Sequence, residues 1–139
     1  FANKMKQKGY ALISAIFGAS AIGLGAFGAH GLKQKLDAGL ITANQLNAFD
    51  TGARYQMYHA IALLALIAIE SKMNKKFFSY AFLCFVLGTL FFSGSLYLLS
   101  TKDLIGMPWL SFLGPITPIG GLILLIGWIL IGIGIKKEK

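Results

Sequence analysis

The sequence predicts an all-α protein: an integral membrane four-helix bundle with a short interfacial helix between helices 1 and 2. Three observations carry this. Hydrophobic residues make up 56% of the 139 and charged residues only 13%, where a soluble domain carries roughly a quarter charged. Four apolar runs, near 10–28, 51–70, 77–100 and 115–135, each approach the roughly 20 residues needed to cross the hydrocarbon of a bilayer. Lysines cluster where those runs end, as expected of residues that stay at the membrane surface. The chain, 1–139, reads as a single transmembrane domain.

The net charge of +8 does not point to nucleic acid, because no basic face interleaved with aromatics is present to track a phosphate backbone. The single Cys84 excludes an intrachain disulfide and a cysteine-rich metal site; within an apolar run it reads as a small hydrophobe. Lys4, Lys6 and Lys8 followed by an apolar run give the start some likeness to a signal peptide. The run is too long for a signal h-region, so the expectation is a retained helix.

Helix 1, about 10–28, carries Ser14, Gly18, Ala21, Gly25 and Gly28 at alternating steps of four and three, one face on which another backbone can approach closely. Gly31 is the expected C-cap, with His30 at the interface satisfying loose carbonyls. The segment from Lys33 to Asp37 reads as the short surface helix, ended by Gly39. Thr42 and Gln45 fit a capping box that opens a long second helix, expected over about 43–71. Its uncharged part, 55–69, is short for a span, so the turn holding Arg54 is expected to reach the bilayer. Asp50 and Arg54 stand four apart, the spacing of an ion pair on one helical face. Helix 3, about 77–100, has a small-residue face of Ala81, Cys84, Gly88 and Ser95; Ser93 and Tyr97, four apart, can meet a common neighbour. Residues 101–114 form a loop with an interfacial segment at Trp109. Pro115 and Pro118 suit the first turn of helix 4, where Gly120, Gly127 and Gly134 recur every seven residues as a close-packing face.

Nine lysines fall on the side of the two termini and the 71–76 turn, against four basic residues on the other side. Both termini are therefore expected in the cytoplasm of a multi-pass cell-membrane protein. This topology brings His30, residues 50–59, residues 93–97 and the start of helix 4 to one depth, in the outer third of the bilayer. Ionisable groups at such depth need partners or a job. The ligand-binding candidates are Arg54, Tyr55, Gln56, His59, Ser93, Tyr97 and Thr117; His30, Asp50 and Ser95 complete a polar network. Either the layer fixes helix register, or it is a small polar pocket open to the outer leaflet.

These segments resemble a known family. The stretches are 25–32 (GAFGAHGL), 51–60 (TGARYQMYHA), 88–98 (GTLFFSGSLYL) and 114–121 (GPITPIGG). They resemble the domain-of-unknown-function 423 family, YgdD/YwdK-like small bacterial membrane proteins related to eukaryotic transmembrane protein 256. They are spread over all four helices and together are specific. The resemblance implies a four-helix integral protein of the cell membrane. It implies no established activity and carries over no catalytic residues.

Three functional readings follow. The first is a structural or accessory subunit, with membrane lipids around it and a membrane-protein partner or a second copy on its glycine seams. The second is a binder or minor transporter of a lipid, quinone or other amphiphile. The third, a metal-dependent enzyme, would need His30, His59 and Asp50 to converge across helices on zinc; no nucleophile–base pair or metal-spaced cluster supports it. The expectation is no enzyme, no metal, no cofactor and no nucleic acid.

Overall fold

The computed structural model of the chain describes residues 2–136. Lys137 and Lys139 of the basic C-terminus, and the side chain of Lys4, lie outside that description. Long helices alternate in direction: α1 (Ala2–Phe27), α3 (Ala43–Ala68), α4 (Lys75–Thr101) and α5 (Ile116–Gly134), with the short α2 (Lys33–Asp37) after α1. No strand longer than one isolated bridge occurs among the described residues. The bundle is built in sequence order: α1 packs on α3, α3 on α4 and α4 on α5. Tyr10 of α1 also reaches α4, with its ring 4.3 Å from that of Phe82.

Three stretches are long and apolar enough to cross a membrane: Lys6–Asp37, Lys75–Thr101 and Pro108–Gly134. The fourth helix, α3, has 26 residues but carries Asp50, Arg54, Gln56 and His59 in its first two thirds. Its burial pattern differs accordingly. Gln56 and His59 face inward, together with Ala53, Ala60, Leu63 and Leu66.

Helix 1 departs from its expected end. The chain does not cap at Gly31; it widens into a π-turn over Gly28–Leu32 and runs straight on into α2. Gly31 serves that turn instead, since a Cβ there would lie 2.7 Å from the Phe27 ring. The rod ends at Gly39, whose φ of +71° is the left-handed conformation that favours glycine. The capping box forms as expected. Thr42 Oγ1 accepts from the Gln45 backbone N–H at 3.2 Å, and Gln45 Oε1 accepts from the Thr42 N–H at 2.8 Å. At the other end α4 begins two residues before the expected 77, capped by the Asn74 side chain on Lys76 N.

The heptad glycines lie on the α4–α5 seam. A Cβ on Gly120 would meet the Phe92 backbone at 2.4 Å, one on Gly127 the Phe85 ring at 2.7 Å, and one on Gly134 the Phe77 side chain at 2.7 Å. Gly88 answers from α4, against Leu124. Such contact is the main source of helix association where lipid tails are as apolar as the side chains. The α1 stripe is used on α3. Ser14 and Ala21 are buried, Gly18 approaches the Ala60 Cβ, and Gly28 meets Phe49 and Asp50. Gly25 faces open space.

Both ends of the bundle are tied. Gln7 Nε2 bonds Glu70 at 2.9 Å, and Asn74 N donates to Gly134 O at 2.9 Å. The start of α1, the 69–74 turn and the end of α5 thus share one end. At the opposite end Gln45 Nε2 donates to Asp103 Oδ2 at 2.8 Å. Hydrogen bonds from Lys102 and Gln45 hold the Asp103 carboxyl below its usual range. The connection there forms a 3-10 turn, Pro108–Leu113. Its exposed Trp109 and Phe112 rings stack 5.9 Å apart.

Candidate functional site

The polar layer resolves into three separate devices. The largest centres on Gln56, 8% exposed. α3 can approach α4 closely here because Gly52 has no side chain; a Cβ would lie 2.9 Å from the Tyr97 ring and 3.3 Å from the Ser93 carbonyl oxygen. One helical turn on, Gln56 Nε2 donates to the Phe17 carbonyl at 2.9 Å and to Ser20 Oγ at 2.7 Å, both on α1. Its Oε1 accepts from the Tyr97 hydroxyl of α4 at 2.9 Å. One side chain therefore joins three helices and uses both amide hydrogens.

The second device is His59. Its Nδ1 lies 2.8 Å from the Tyr55 carbonyl, and its Nε2 lies 3.3 Å from the indole nitrogen of Trp128 on α5. A carbonyl only accepts and an indole N–H only donates. The ring is therefore the neutral tautomer with its proton on Nδ1, and Nε2 accepts. The Phe85 ring packs edge-on against it, with centroids 5.1 Å apart. The third device is a short bond of 2.6 Å between Ser95 of α4 and Thr117 at the start of α5.

The other candidate residues stand apart from these. Arg54 is exposed and does not pair with Asp50. Its Nε donates weakly to the Asp50 backbone carbonyl and its Nη2 to Thr51 Oγ1, both at 3.4 Å. The i,i+4 spacing allowed an ion pair, but the Asp50 carboxylate turns toward the π-turn, where Gly28 leaves room for it. Tyr55 is 41% exposed and leans on Phe92 at 4.8 Å. His30 is exposed on the π-turn, and its side chain bonds no other described residue. No three His, Cys, Asp or Glu side chains among the described residues gather to hold a metal ion. Ser93, 1% exposed, and Thr89, 2% exposed, are buried on α4 with hydroxyls that have no partner.

Sequence reasoning missed the residues that complete the devices, the Phe17 carbonyl, Ser20 and Trp128, and it missed the unpartnered Thr89. Ser20 sits on no recognisable motif. Trp128 lies in an apolar run where a tryptophan reads as lipid-facing; half of it is.

Comparison with known proteins agrees with this membrane architecture. The sequence signature described as Protein of unknown function (DUF423) matches residues 24–121. A UPF0382 membrane protein of Haemophilus influenzae is 41% identical over 135 residues, covering 97% of this chain and 98% of that protein. The UPF0382 membrane protein YwdK of Bacillus subtilis is 38% identical over 133 residues, covering 94% and 98%. No solved structure matches. The chain is an all-helical protein of the cell membrane, and it belongs to the DUF423 family.

Proposed function

We propose that this chain is an accessory subunit of a membrane assembly, not an enzyme, and that its polar layer locks helix register. The observation that carries this reading is the hydrogen bonding of Gln56, whose amide ties α3 to both α1 and α4. His59 and the Ser95–Thr117 pair are likewise satisfied between helices. A catalytic base or nucleophile must be free to meet a substrate. Here the candidate base His59 is engaged on both ring nitrogens, and His30 stands exposed on the π-turn, away from the buried Ser93 hydroxyl. A partner helix finds room on α1, where Gly23 and Gly25 have nothing opposite them and Ile22 is 66% exposed.

The accompanying topology is four spans, near 10–28, 51–70, 77–100 and 115–135, with both termini cytoplasmic. The lysine asymmetry supports it. So does the sharing of one end by the 69–74 turn and the end of α5.

Crosslinking in native membranes tests the role. A reproducible adduct through residue 23 or 25, to another protein or to a second copy, is expected; monomer alone would refute it. Cysteines placed at 74 and 106 in a Cys84→Ala background test orientation. An impermeant maleimide applied to whole cells should label position 106 only.

A further inference from the structure

A cleft of about 290 Å³ opens between α1 and α4, with α3 as its floor. Ile16 and Leu90, each more than half exposed, flank its mouth, so it opens sideways into the hydrocarbon. Its depth is different. Gln56, Tyr97 and Thr89 line it together, and none of the residues lining it is charged.

Two features there are unexplained by helix packing. The first is Thr89. It is 2% exposed, and its hydroxyl has no hydrogen-bond partner, although a helical threonine can bond its own i−4 carbonyl. An unpaired hydroxyl in an apolar setting is costly. Threonine in a helix has two χ1 wells open to it, so this hydroxyl can turn to the cleft. The second is Gly94, inside α4 on the cleft wall. Glycine weakens a helix interior and is normally kept there for close approach. A Cβ on Gly94 would meet nothing within 4 Å, so here the missing side chain leaves empty space.

We infer that this cleft binds an uncharged, single-chain amphiphile, whose hydroxyl or carbonyl oxygen meets Thr89 and the Gln56–Tyr97 pair. The absence of a charged lining residue excludes a carboxylate or phosphate at that depth, since nothing would neutralise it. Thr89 supplies a donor. Gln56 Oε1 and the Tyr97 hydroxyl each keep an unused lone pair, so a ligand hydroxyl finds both kinds of partner. The volume lies at the small end of ligand pockets, which begin near about 300 Å³. It suits one chain and its terminal oxygen group, not the glycerol backbone of a two-chain lipid.

The test uses the full chain in vesicles of phosphatidylcholine and phosphatidylglycerol, photolabelled with a monoacylglycerol that carries a diazirine in its chain. Peptide mapping is expected to place the adducts on residues 16–24 and 89–97. Unlabelled monoolein should compete, and oleate should not. Thr89→Val keeps the shape and should lower labelling about threefold, the weight of one interhelical hydrogen bond in a bilayer. Gly94→Leu adds a side chain at the wall of the cleft and should abolish labelling of residues 16–24. Gly132→Leu, which also has open space around it, should leave it unchanged. Circular dichroism of each variant separates lost binding from lost fold, and Thr89→Val carries the test if Gly94→Leu does not fold. On its other side Gly94 also borders a groove lined by Leu113, Ile116 and Ile119; labelling spread over all lipid-facing helices, or found on 113–119 and 89–97 without 16–24, would overturn the inference. So would equal competition by oleate, or labelling that Thr89→Val leaves untouched.

Discussion

Removing Gln56 should unlock three helices at once. Gln56→Met keeps the length of the side chain but deletes three interhelical hydrogen bonds. Such bonds average about 0.6 kcal/mol each in a membrane protein, so their loss alone amounts to about 2 kcal/mol. The partners fare differently. The Phe17 carbonyl lies within α1, and Ser20 Oγ keeps its bond to the Ile16 carbonyl at 2.7 Å. The Tyr97 hydroxyl donates only to Gln56 among the described residues, and stranding it adds about 1 kcal/mol or more. The expected total is about 3 kcal/mol. Tyr97→Phe on top of Gln56→Met should then recover about 1 kcal/mol relative to the sum of the single changes. Unfolding in mixed micelles titrated with sodium dodecyl sulfate, followed by far-ultraviolet circular dichroism, measures all four corners of this cycle. Strict additivity, or a Gln56→Met cost below about 0.5 kcal/mol, would refute the lock.

Three further outcomes are expected. Gly120→Ala should cost about 1–3 kcal/mol, because its methyl would collide with Phe92 backbone that no rotamer change can move. Gly132→Ala, with open space around it, should stabilise α5 by about 0.5–1 kcal/mol; equal effects in the same unfolding assay would contradict the seam. In a Trp109→Phe background, His59→Leu should shift Trp128 emission to shorter wavelength as its N–H loses a polar acceptor, and an unchanged spectrum would count against the bond. Asp103 titrates below its usual range because Lys102 and Gln45 bond the ionised form. Its stabilising effect is therefore present at neutral pH and lost as pH falls through the acidic carboxylate range. Asp103→Asn should flatten that part of a stability–pH profile.

Much of the fold is legible in the chain because it depends on one-dimensional quantities. The length of an apolar run says whether it can cross a bilayer. Thr42 three residues before Gln45 specifies a helix start, since both bonds of the capping box are local. Glycines seven apart, at 120, 127 and 134, return to one helix face whatever lies opposite. The candidate site is legible only as a set of residue types at one level. Gln56 and Tyr97 were marked by their polarity in apolar surroundings, but polarity does not say whether two groups meet. Asp50 and Arg54 had the right spacing and still do not pair, because Gly28 offers the carboxylate another place.

The sequence by itself determined that this is a helical membrane protein, that α3 starts at the Thr42 capping box, and that the heptad glycines of the last helix form a close-packing face. Local hydrogen bonding and the solvent preference of each run suffice for that. Only the tertiary structure decided that Gln56 bonds α1 and α4, that His59 bonds Trp128, and that Thr89 and Gly94 border an open cleft. Those facts depend on how each helix is rotated about its axis and how far it slides against its neighbours. A shift of one residue, about 1.5 Å along the helix and 100° around it, would separate every one of these pairs while leaving the hydropathy pattern unchanged.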